Sequence, residues 1–95
     1  MYDFNLLQQK ADQLLKAQRY AEALAIYYYM ADGDRSLDAG SLAQRIGAAY
    51  EGLGDRHAAK YWYGRAQEEN PEIEFYRAAR DRLNSVSIDA ILRSA

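Results

Sequence analysis

The stretch from Ala43 to Pro71, AQRIGAAYEGLGDRHAAKYWYGRAQEENP, constrains the fold most, because its small and aromatic residues fall at the spacing of one packed helical hairpin. Ile46, Gly47 and Tyr50 recur at three- and four-residue steps and so share one helix face. Ala59, Tyr63 and Ala66 do the same on a second helix. Between them, Gly52-Leu53-Gly54-Asp55 reads as a turn, with two glycines free to take left-handed backbone angles and an aspartate placed to cap the next helix. A glycine at position 47 costs a helix about 1 kcal/mol, which makes sense mainly if another helix leans on it.

A weaker copy of this hairpin precedes it. A first helix is expected from about Asp3 to Ala17, with Leu7, Ala11 and Leu14 inward, and a second from about Tyr20 to Ala31, stopping at Asp32-Gly33-Asp34. Leu7, Ala11, Leu14, Ala23, Tyr27 and Met30 then stand where Ala43, Gly47, Tyr50, Ala59, Tyr63 and Ala66 stand 36 residues later. Lys10 departs from the pattern, where an apolar residue is expected. Beyond Pro71, Glu72 to Leu83 carries acids early, bases late and apolar residues at helical spacing, and Ser87 can cap a last short turn through Ile88, Ile91 and Leu92.

The slots held by Ala43, Ile46, Gly47, Tyr50, Ala59, Tyr63 and Pro71 resemble the signature of the tetratricopeptide repeat. The resemblance implies one all-α domain over residues 1–95: antiparallel helical hairpins stacked as a short right-handed superhelix. Its parts would be a first repeat over about 4–37, a second over about 40–73, and a capping helix with tail over about 72–95. It also implies a non-enzymatic adaptor that holds a peptide or protein segment in a concave groove formed by the first helices of successive pairs. Carried onto this chain, the groove lining would be Gln8, Asp12, Leu15, Lys16, Gln44, Ala48, Glu51, Phe75, Ala78 and Arg82. The subgroup that grips a C-terminal carboxylate does so with Lys, Asn and Arg. The corresponding places here hold Gln8, Asp12, Arg45, Phe75 and Ala79, so that clamp is absent.

Composition argues against other classes. A net charge of -2 gives no general attraction to nucleic acid or anionic membrane, and neither is expected as a partner. With no cysteine and one histidine, His57, neither a thiolate metal site nor a cysteine nucleophile is possible, and no metal or cofactor is expected. The acid pairs Glu68-Glu69 and Glu72-Glu74 flank a helix end and read as a solvated face rather than an acid–base pair. Arg77, Arg80 and Arg82 are offset by Glu72, Glu74 and Asp81. An enzyme is the weakest reading. The start has no basic segment leading into an apolar run, so a cytoplasmic location is expected.

Nine tyrosines exceed what repeat packing needs. The resemblance implies packing slots for Tyr27, Tyr50, Tyr63 and Trp62, whereas Tyr28, Tyr29 and Tyr61 stand where related repeats usually carry Glu, Lys or Gln. Consecutive residues 27–29 span about 200° of a helix, so they cannot all face one core. This predicts a second packing surface. A structural module that forms a homodimer through Tyr28, Tyr29 and Tyr61, or through Ile88, Ile91 and Leu92, is therefore the alternative function, beside a small regulatory subunit of a larger complex.

Overall fold

The computed structural model describes residues 3–33 and 40–84, which form five helices: α1 (Phe4–Lys16), α2 (Tyr20–Gly33), α3 (Ser41–Gly52), α4 (Arg56–Glu69) and α5 (Glu74–Asn84). No strand occurs among the described residues. Two starts are set by aspartates, as their position before an apolar-periodic run predicts. The Asp3 carboxylate accepts the Asn5 amide at 2.8 Å, and the Asp55 carboxylate accepts the Ala58 amide at 3.0 Å, so each satisfies a donor that the first helical turn cannot.

The hairpin turns repeat bond for bond. After α1, the amides of Ala17, Gln18 and Arg19 donate to the carbonyls of Gln13, Leu15 and Leu14 at 3.0, 3.1 and 2.9 Å. After α3, the amides of Leu53, Gly54 and Asp55 donate to Ala49, Glu51 and Tyr50 at 3.0, 3.0 and 2.9 Å. Donors and acceptors alike are displaced by the 36 residues of the sequence alignment, from Ala17 to Leu53 and from Gln13 to Ala49. The left-handed residue of the turn is Gln18, at φ 63°, in the first copy and Gly54, at φ 85°, in the second. Gly52 corrects the expectation of two left-handed glycines. It is the last residue of α3, and a side chain on it would run into the ring of Tyr20.

Each helix packs on the next in sequence, from α1 on α2 to α4 on α5. The largest core cluster joins α1, α2 and α3 through Ala11, Leu14, Ala23, Leu24, Tyr27, Met30, Leu42, Ile46 and Ala49. Its fully buried Ile46 alone contributes about 1.5–3 kcal/mol of apolar transfer. Two smaller clusters seat α5. Ala79 and Leu83 pack on Ala59 and Tyr63, and Tyr76 packs on Ala43 and Ala66. α5 thus covers the open side of the second hairpin. Lys10, in the slot that Ile46 fills in the second copy, is exposed.

Boundaries differ from expectation in two places. α2 continues two residues past Ala31, to Gly33. α5 begins at Glu74 rather than Glu72, because Pro71 and Glu72 form a turn closed by the Ile73 amide on the Asn70 carbonyl at 3.2 Å. The expected capped turn from Ser87 through Ile88, Ile91 and Leu92 lies outside the described residues, as does most of the connection after Gly33. No helix among the described residues is long and apolar enough to cross a membrane.

Candidate functional site

The face expected to form a groove is organised by Asp12 of α1. Its carboxylate accepts the Tyr27 hydroxyl at 2.5 Å and Nε of Arg45 at 3.1 Å, so one side chain ties α1 to α2 and to α3. Arg45 is held in turn by its own helix, donating from Nη1 to the Ser41 carbonyl at 3.3 Å and to the Ser41 hydroxyl. Burial, and then the Asp12 carboxylate that takes its proton in a hydrogen bond, raise the Tyr27 phenol well above the usual tyrosine range, with Arg45 opposing. Asp12 is therefore a structural tie between first helices as well as a surface group. Arg45 figured in the sequence only as a mismatch to the carboxylate clamp. Nothing in its spacing from Asp12, 33 residues away, marks the pair.

The other groove residues divide by depth. Gln8, Leu15, Gln44 and Ala48 are half-buried, Leu15 against the main core, and Lys16 is exposed. Glu51 accepts the Tyr63 hydroxyl at 2.9 Å across the second hairpin. On α5, Ala78 is exposed and Phe75 is 61% exposed, its ring edge-on to Tyr76. The Arg82 side chain lies outside the described residues. The three residues compared with the clamp that the groove shares, Gln8, Asp12 and Phe75, offer an amide, a paired carboxylate and a bare ring.

The surplus tyrosines part company. Tyr28 is a correction: instead of facing outward it is half-buried, its hydroxyl bonded to that of Tyr50 at 2.8 Å and its ring edge-on to Trp62 at 5.8 Å. Burial first, and the Tyr50 hydroxyl second, push its phenol up to about 12. α2 has neighbours on two sides, α1 and α3, so Tyr27 and Tyr28 can both be inward although they differ by about 100°. Tyr29 is 48% exposed and meets Phe4 edge-on at 6.5 Å. Tyr61, 56% exposed, stands perpendicular to Trp62 at 5.4 Å and accepts Nη1 of Arg65 at 3.3 Å. With His57, Lys60, Gly64, Arg65 and Glu68, it lines an open groove along the outer face of α4. Ile88, Ile91 and Leu92 lie outside the described residues.

Among the described residues, no three His, Cys, Asp or Glu side chains come together as a metal site. Arg77 pairs with Glu74 at 2.5 Å and Arg80 with Asp81 at 3.2 Å, so these two arginines of α5 have acidic neighbours on their own helix. No family model, curated protein or solved structure matches the chain.

Proposed function

We propose that this chain is an interaction module of the tetratricopeptide type, an adaptor without chemistry of its own that holds a peptide or protein segment along the face of α1, α3 and α5. The observation that carries the reading is the repeated hairpin: two turns with the same three backbone bonds, 36 residues apart, and first helices linked side by side by Asp12 and Arg45. Stacked hairpins present a continuous surface with few internal demands on its outer side chains, which suits recognition of an extended segment. On that surface Gln8 and Gln44 supply amide donors and acceptors, and Phe75 supplies an apolar foothold.

Selection from a displayed random-peptide library tests it. Enriched peptides are expected to lose about tenfold or more in affinity with Gln44→Glu or Phe75→Ala, equivalent to about 1.4 kcal/mol, and to be indifferent to Lys60→Glu on the outer face of α4. A library that yields no binder, or binders lost with Lys60→Glu and retained with both groove changes, would overturn the assignment.

A further inference from the structure

Three features of α4 are not required by packing inside the monomer. The first is its charge order. Arg56, His57 and Lys60 open the helix and Glu68 and Glu69 close it, the reverse of what the helix dipole favours, with no acid in the first turn and no base in the last. The second is Gly64, in mid-helix, where glycine is among the poorest formers. Internal packing does not require it: a Cβ there would meet only Cδ of Arg80, at an ordinary 3.6 Å. The third is Tyr61, one turn before Gly64 on the same face and 56% exposed.

From these we propose that α4 is the two-fold interface of a homodimer, paired antiparallel with α4 of a second copy. The groove residues are symmetric about the midpoint of the helix: His57 mirrors Glu68, Tyr61 mirrors Gly64, and Lys60 mirrors Arg65. An antiparallel partner with its axis at that midpoint lays the ring of Tyr61 into the notch at Gly64 of the partner subunit, and the reciprocal contact follows by symmetry. The same register brings Arg56 and His57 alongside Glu69 and Glu68 of the partner subunit at both ends, and sets Lys60 against Arg65 of the partner subunit, a like-charge pair in which each Arg65 is already engaged by Glu69, Tyr61 and Trp62 of its own helix. Charge that opposes the dipole within one helix becomes complementary between two. The occupant is a second copy because the face is its own complement in shape at Tyr61 and Gly64 and in charge at its two ends. Arg65, which pairs with Glu69 at 3.7 Å and lies over the Trp62 ring, holds the Tyr61 hydroxyl and so presets the ring.

A 14-residue helix is about 21 Å long, so one helix pair is a small interface with dissociation expected at tens of micromolar. Sedimentation equilibrium from about 10 μM to about 1 mM should show a monomer–dimer equilibrium that weakens with added salt. Gly64→Arg fills the notch without an internal clash at Cβ and should weaken association about tenfold or more while helical circular dichroism is retained. A charge exchange makes the test specific. Arg56→Glu with His57→Glu, and Glu68→Lys with Glu69→Lys, each give a helix that suits its dipole but repels its own copy. Each variant alone should be monomeric, and the two mixed should form a heterodimer. A monomer throughout the range, whether because another segment of the chain covers α4 or because nothing does, would overturn the proposal. So would a dimer indifferent to Gly64→Arg, or a mixture of the two charge variants that stays monomeric.

Discussion

Gly47 and Gly64 both lie inside helices, and their surroundings demand opposite responses to an added side chain. A Cβ at Gly47 would stand 2.8 Å from the ring of Tyr63, which is 3% exposed and has its hydroxyl committed to Glu51, so the ring has no room to yield. Gly47→Leu is expected to cost about 1–3 kcal/mol, the usual penalty for overpacking a tight contact. Gly64→Ala meets nothing closer than 3.6 Å and should stabilise the monomer by about 1 kcal/mol through helix propensity alone. Urea unfolding at low micromolar concentration measures both. Equal destabilisation by the two changes would mean that α5 presses on Gly64 as closely as Tyr63 presses on Gly47. The closeness at Gly47 was legible in the sequence, because a helix-breaking residue inside a periodic apolar run needs a compensating contact. The openness at Gly64 was not, since it depends on where Arg80 of α5 comes to rest.

At the scale of elements, the two hairpin turns are the same device with a different residue at the left-handed position. Gln18 holds φ 63° where its counterpart Gly54 holds φ 85°. A side chain in that region costs about 1–2 kcal/mol, and glycine gives back roughly half of this by freeing the unfolded chain. Gln18→Gly is therefore expected to stabilise the fold by about 0.5–1 kcal/mol, and Gly54→Gln to destabilise it by a similar amount. Thermal melts of the two variants check this, and a loss of stability in Gln18→Gly would show that the Gln18 side chain makes a contact worth more than the strain. Helix positions could be read from the chain because aspartate caps, glycine stops and three-to-four spacing are local signals. Tyr28 was misplaced because its burial follows from α2 lying between two neighbours, a tertiary fact. The Asp12–Arg45 tie was illegible for the same reason: it depends on α1 and α3 standing side by side.

Across the whole molecule, packing passes from each helix to the next, and the core is uneven along the array. Nine buried residues bind α1, α2 and α3 into one cluster, whereas α5 is seated by Tyr76, Ala79 and Leu83 in two smaller ones. In such a linear arrangement the stability of a unit is roughly its own plus that of its neighbouring interfaces, and α5 lacks an interface on its far side among the described residues. Its exposed surface carries Phe75 and Ala78, which lie outside the clusters that seat it. Local opening should therefore release α5 before the cluster centred on α2. Native-state hydrogen exchange is expected to show the α5 amides exchanging at least about tenfold faster than those of α2 and α3, an opening cheaper by about 1.4 kcal/mol or more. A segment bound across Phe75 should narrow this difference, because a ligand that contacts α5 only in its docked position adds its binding free energy to that state. Uniform protection across all five helices would mean that the array opens as one cooperative unit and that α5 is secured by contacts beyond these three residues.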